Sequence, residues 1–154
     1  MTISDCKLDT IKHIETVRKY IKMFTDRLAQ RAIDHDKTKL DTPEVECFAK
    51  VNDELAKLTY NSDEYKESLE KLTPALDHHY AKNRHHPQHF EHGIDDMNLV
   101  DIVEMFCDWR ASTERHHDGN LLKSIEINQK RFNYDDQLKH IFLNTAKLFD
   151  ENDK

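Results

Sequence analysis

Histidine is concentrated in one short stretch of this chain. Residues 78–92 read HHYAKNRHHPQHFEH and hold six of the 11 histidines in a sequence of 154 residues. Imidazole is the commonest protein ligand for transition metals, and it is the side chain most easily poised for proton transfer near pH 7. Packing does not explain such a density, so the stretch indicates metal binding or acid–base chemistry.

A second polar stretch, DHDKTK at residues 34–39, combines an imidazole with carboxylates and ammonium groups. The adjacent pair His35-Asp36 offers two types of metal ligand, and Lys39 follows where an ammonium could meet an anionic oxygen. The alternative is a polar helix C-terminus in which His35 is favourably placed against the helix dipole.

Carboxylates recur along one predicted helix further on. Asp101, Glu104 and Asp108 are three and four residues apart, so they share one helix face. A row of like charges is usually a solvated surface, but this segment is otherwise strongly apolar, which favours a central helix. Asp108 lies between Cys107 and Trp109 and is expected to be the most buried of the three. Together, the three polar stretches predict a site for one or two metal ions.

The elements that must position these stretches are helices. Only 2 glycines and 3 prolines occur, and segments rich in Glu, Lys, Leu, Ala and Asp are typical of helices. Apolar residues at three- and four-residue steps predict a long first helix from Ser4 or Asp5 to about Ala32. We expect an all-α fold, a compact bundle of six or seven helices around a polar metal pocket, in a single domain over residues 1–154.

The later helices have recognisable boundary signals. Thr42 and Pro43 are typical of a helix start, Asn61-Ser62 is expected to separate this helix from the next, and Pro74 should kink or interrupt that next helix. Residues 85–96 are predicted to form a loop and residues 116–120 a turn. The remaining helices are predicted over residues 99–113, 121–131 and 137–149.

Composition excludes several classes of function. A net charge of −7 argues against a broad nucleic-acid surface, which needs a basic face, but allows a small anionic substrate held by metal ions. No apolar run approaches the ~20 residues that span a membrane, and residues 1–5 lack a basic region followed by an apolar one, so we do not expect them to be a signal peptide. Three cysteines without paired spacing indicate reduced thiols and a cytoplasmic protein.

The order His13 … His35-Asp36 … His79 … His85-His86 … Asp108 resembles the HD-domain superfamily of helical metal-dependent phosphohydrolases, and most closely its branch with two metals. Three strings carry the likeness: AIDHDKTK at residues 32–39, RHHP at 84–87 and IVEMFCD at 102–108. The strings NRHHP and EMFCDW are also similar to a family of small phage and bacterial proteins for which we know no established activity.

The resemblance implies a set of ligands and roles. One divalent ion would be held by His13, His35, Asp36 and Asp108, and a second ion or the leaving-group side by His79, His85 and His86. Lys39 and Arg84 would neutralise phosphate oxygens, and Glu104 would reach a ligand or the substrate. Imidazole and carboxylate ligands suit manganese, iron, cobalt, nickel or zinc better than a hard, oxygen-only ion. The expected function is hydrolysis of a nucleotide or a related small phosphate ester.

Two other functions stay open. The same superfamily pattern with two irons supports oxygenases that open C–C or C–P bonds. A non-enzymatic phage accessory protein that binds a host partner is the other alternative. The sequence leaves the substrate, the metal and the oligomeric state undecided.

Overall fold

The described chain is built from helices. In the computed structural model, residues 2–55, 57, 63–115 and 119–152 are described, and no β-strand occurs among them. The α-helices are α1 (Ile3–Asp34), α2 (Glu44–Leu55), α3 (Asp63–Glu70), α4 (Thr73–Lys82), α5 (Leu99–Glu114), α6 (Leu121–Phe132) and α7 (Asp136–Asn152). Short 3₁₀-helices span Lys37–Leu40, Pro87–His89 and Gly93–Asp96. The prediction of an all-α fold is confirmed.

The chain divides into two units, the first ending at His35 and the second beginning at Asp36. The prediction of a single domain over residues 1–154 stays a prediction. No described helix combines the length and the apolar character needed to cross a membrane.

Helix α1 is the whole helical content of the first unit. A capping box begins it: the Thr2 hydroxyl accepts from the Asp5 amide at 3.1 Å, and the Asp5 carboxylate accepts from the Thr2 amide at 2.8 Å. The helix ends two residues later than predicted, and the His35 amide closes its last turn on the Arg31 carbonyl.

The apolar core of the second unit lies between α5, α6 and α7. The rings of Phe106 and Phe142 stack at 5.1 Å, and Trp109 meets Phe142 edge-on. The buried members of this core are Met105, Phe106, Trp109, Ile125, Tyr134, Phe142 and Ala146. Because α5 also carries the acidic stripe of Asp101, Glu104 and Asp108, this core fixes those carboxylates relative to the rest of the unit.

The histidine-rich stretch begins on a short helix and continues into a loop. Residues 71–72 separate α3 from α4, and Pro74 lies in the first turn of α4, so the predicted interruption is confirmed. Helix α4 ends at Lys82, and two 3₁₀-helices lie within the predicted loop over residues 85–96. The predicted boundary at Asn61-Ser62 and residues 116–118 of the predicted turn lie outside the described residues.

Candidate metal centre

Asp36 sits at an uncommon backbone position. Its φ of 55° is in the left-handed region, which Asp and Asn tolerate better than other residues with a side chain. The two oxygens of the Asp36 carboxylate have different partners. Oδ2 lies 2.6 Å from Nζ of Lys39, whereas Oδ1 lies 3.3 Å from Nε2 of His79 and 3.4 Å from Nε2 of His85. Such an uncommon conformation at a polar cluster is typical of functional sites.

Three imidazoles surround Oδ1 of Asp36. The Nε2 atoms of His79 and His86 are 3.0 Å apart, and the rings of His85 and His86 lie 4.1 Å apart. One ligand atom from each of these four residues lies within 4.8 Å of the other three. Ligand atoms about 2.1 Å from a tetrahedral ion are about 3.4 Å from one another. Three of the six separations, those of Asp36 from His79 and from His85 and that of His79 from His86, are 3.0 to 3.4 Å, which fits ligands of one transition-metal ion.

Two of these imidazoles have a carboxylate behind the ring. Nδ1 of His79 lies 2.9 Å from Oε2 of Glu44, and Nδ1 of His85 lies 3.1 Å from Oε1 of Glu104. Metal-binding histidines are commonly held this way, because a carboxylate at the far nitrogen fixes the ring orientation and makes the ligating nitrogen more basic. Glu44 and both of these histidines are almost fully buried.

The electrostatics of the cluster favour the forms that bind metal. Burial raises the pKa of Asp36, but hydrogen bonds with His79, His85 and Lys39 outweigh burial and hold that pKa well below its usual range. Burial lowers the pKa of His86 to about 3, and the neighbouring His85 and His79 act in the same direction. At neutral pH, Asp36 is therefore ionised and His86 is neutral.

Arg84 is held in an ion pair rather than standing alone. Its guanidinium donates to both carboxylate oxygens of Asp101, at 3.1 and 2.9 Å, and lies 4.8 Å from the centre of the Phe90 ring. Its side chain is still 42 % exposed. These contacts give Arg84 a structural role in joining the loop to α5, and its expected role toward phosphate stays a prediction.

The expected order of burial along the acidic stripe is wrong. Asp101 is fully buried, whereas Asp108 is only half-buried. The reason is the start of α5: Asp101 accepts from the Asn98 amide in a capping box and is also paired with Arg84. The signal for this arrangement was the Asn98-x-x-Asp101 spacing, which is typical of a helix N-terminus.

Of the remaining predicted ligands, Asp108 lies close to the cluster, with one carboxylate oxygen within 4.8 Å of a carboxylate oxygen of Asp36. Asp108 lies on α5, near enough to His86 that its charge raises the pKa of that imidazole against the larger effect of burial. His13 lies within α1 and His35 directly follows it, both in the first unit. As ligands, these three residues stay predictions.

Two residues at the cluster were missed in the sequence. Glu44 begins α2, where an acidic residue is ordinarily an exposed partner of the helix dipole, so its sequence position gave no sign of burial. His78 was counted in the histidine-rich stretch but given no role, and its Nδ1 lies 2.7 Å from Oε1 of Glu44. Only the fold brings α2 against α4.

Comparison with known proteins gives a family without an assigned activity. A family of unknown function, DUF5662, matches residues 2–150. The chain belongs to DUF5662. No curated protein and no solved structure matches it. The DUF5662 match includes every residue of the candidate centre, and the function must be argued from the geometry of that centre.

Proposed function

We propose that this DUF5662 protein is a metal-dependent phosphohydrolase that acts on a nucleotide or a related small phosphate ester. The observation that carries the proposal is the convergence of Asp36, His79, His85 and His86, with a carboxylate behind two of the three imidazoles. The order of these residues along the chain, which resembles that of HD-domain phosphohydrolases, supports the reaction class.

These four side chains would hold one divalent ion. Three imidazoles and one carboxylate suit manganese, iron, cobalt, nickel or zinc. When bound, such an ion supplies Lewis acidity toward a phosphoryl oxygen and an activated water. Asp108, with an oxygen within 4.8 Å of Asp36, is the further ligand that we propose within the second unit, for the same ion or a second one.

Other groups of the chain would bind and orient the substrate. The Lys39 ammonium contacts Asp36 and has a side chain that is 38 % exposed, so it can turn toward an anionic oxygen beside the centre. Arg84 places a second positive charge on the loop that follows α4, and its ion pair with Asp101 orients the guanidinium. Glu104 keeps the ring of His85 in place.

The overall charge supports a small substrate. A net charge of −7 repels long polyanions, whereas a single phosphate ester needs only a few local cations. We expect the protein to act in the cytoplasm, where nucleotides and reduced thiols are both present.

The test is phosphate release from a panel of nucleotides and phosphomonoesters with added manganese, cobalt, nickel, zinc or iron(II). Release that requires the metal and is lost in Asp36→Asn supports the proposal. Bound metal without phosphate release across the panel would contradict the phosphohydrolase and favour a diiron oxygenase. Oxygen uptake with a polyol or a phosphonate then tests the oxygenase. A purified protein that is fully stable without metal and releases no phosphate would favour a non-enzymatic accessory protein that binds a host partner.

A further inference from the structure

We infer that the apolar face of α1 docks on α5 of a second copy of this chain, so that the protein is a dimer in which the two chains exchange the same contact. The inference does not depend on the proposed metal chemistry. It follows from the exposed apolar face of α1, from the charges that border this face, and from an acidic segment of the second unit that exposes apolar side chains of its own.

Helix α1 carries an exposed apolar face. None of its 32 residues is buried. Ile14, Val17, Ile21, Phe24 and Leu28 follow one another at three- and four-residue steps, so they share one face of the helix. The first four of these side chains belong to residues that are 43 %, 40 %, 58 % and 46 % exposed. Because a helix in water owes most of its stability to the packing of such a face, a contiguous apolar patch of this kind indicates an interaction surface.

The charges on α1 favour an acidic partner. At about 100° per residue, the half of the helix centred on the apolar face carries Lys7, Arg18 and Arg31 but no acidic residue. The five acids of α1 all lie on the opposite half, at Asp5, Asp9, Glu15, Asp26 and Asp34. Two α1 helices that paired through their apolar faces would bring like charges together, which is unfavourable. The net charge of −7 likewise opposes docking of the chain on an anionic membrane.

The segment 95–108 of the second unit has the complementary character. It contains five acids and no Lys or Arg, and it stays acidic even though Asp101 is paired with Arg84. Within this segment Leu99 and Val103, one turn apart on α5, are 67 % and 42 % exposed. An apolar row with an acidic border therefore matches the apolar row with a cationic border on α1.

The two surfaces also agree in length. The apolar row from Ile14 to Leu28 is about 21 Å long, and α5 with its 16 residues is about 24 Å long. One helix can therefore lie along the other over the whole apolar row.

A second copy is the occupant because each chain then supplies both surfaces. In a dimer with two-fold symmetry, α1 of one chain contacts α5 of the other, and the same contact forms again in return. The exchange doubles the area that a single contact between two helices would bury, which favours a stable interface.

The first experiment measures the dimer dissociation constant of the full-length protein by sedimentation equilibrium. We expect a dimer in the micromolar range. Ile21→Lys places a charge in the middle of the apolar face, and Val103→Lys does so on the partner surface, so each should raise the dissociation constant by about 10-fold or more. Met23→Lys is the matched control, because Met23 is 45 % exposed on the opposite half of α1, and it should dimerise as the wild-type protein does. All three residues are exposed, and circular dichroism checks that the variants stay folded.

The second experiment identifies the surfaces that meet. Contact between a cationic and an acidic border should weaken as sodium chloride rises from about 0.05 to 0.5 M, whereas two α1 helices with like-charged borders would pair more tightly. A mixture of ¹⁴N and ¹⁵N chains is then treated with a carbodiimide, which joins lysine amines to carboxylates. We expect cross-links between α1 lysines of one isotope and acids of residues 95–108 of the other.

The contrary outcomes are distinct. A monomer throughout the micromolar range, or a dimer of Ile21→Lys as tight as that of the wild-type protein, would overturn the inference. Cross-links between two α1 helices, or cross-links from α1 to residues 95–108 only within one isotope, would also overturn it. Binding of a monomer to phosphatidylserine vesicles would assign the apolar face to a membrane surface instead.

Discussion

Replacement of Asp36 separates its proposed role as a metal ligand from its uncommon backbone conformation. The φ of 55° costs an ordinary residue about 1–2 kcal/mol, whereas Asn and Asp adopt it readily. Asp36→Asn therefore keeps the backbone and removes the charge. The lost ion pair with Lys39, whose side chains are 38 % and 19 % exposed, contributes at most about 1 kcal/mol.

Metal should stabilise the wild-type protein and leave Asp36→Asn unchanged. A free ion at about 100 times its dissociation constant adds about 2.7 kcal/mol to the unfolding free energy. For a chain of this size, that is a rise in melting temperature of about 5–10 °C. Asp36→Ala should lose the same response and also unfold more easily without metal, by about 1–2 kcal/mol, because of its backbone.

The assay is thermal unfolding followed by circular dichroism, with and without added manganese or cobalt. Asp53→Asn is the matched control, because Asp53 makes the same kind of pair with Lys57 on an exposed surface at 2.7 Å. It should respond to metal as the wild-type protein does. A metal-induced rise in Asp36→Asn equal to that of the wild-type protein would refute Asp36 as a ligand.

Three further changes test other contacts. Asp101→Ala should lower the unfolding free energy by about 2–3 kcal/mol in urea denaturation, because it removes the acceptor for the Asn98 amide in the capping box and leaves Arg84 without its carboxylate. A loss below about 0.5 kcal/mol would contradict this. Glu104→Gln should weaken cobalt(II) binding by about 10-fold through the ring of His85, and unchanged affinity would exclude that role. Tyr134→Phe should cost about 1 kcal/mol of stability at pH 7. Burial raises the pKa of Tyr134 to about 12, so the folded state retains a proton that the unfolded state loses near pH 10, and stability should fall as pH rises from about 10 to 12. The Tyr134→Phe variant should lack that part of the fall.

The parts of the centre that could be predicted are those that lie close together in the sequence. His79, His85 and His86 are within eight residues of one another, and helix α4 with its following turn suffices to bring them together. Asp36 was recognisable because an acid and an imidazole are adjacent there. Each of these depends on residue type and short spacing, which a single sequence displays.

The parts that were missed depend on packing between distant elements. Glu44 lies 35 residues before His79, and nothing in its local sequence distinguishes a buried carboxylate from an exposed one. Similarly, a shared helix face did not show which turn of α5 is buried. The first turn of α5 is buried because Asp101 pairs there with the loop residue Arg84, which lies 17 residues earlier in the sequence.

Metal content is the most direct test of the central claim. The protein should be purified without chelator and its metals measured by plasma spectrometry, beside the Asp36→Asn variant prepared in the same way. We predict at least one transition-metal ion per wild-type chain and none above background in the variant. Equal metal content in the two proteins, or no metal in the wild-type protein even after incubation with manganese, cobalt or zinc, would contradict the assignment of this cluster as a metal centre.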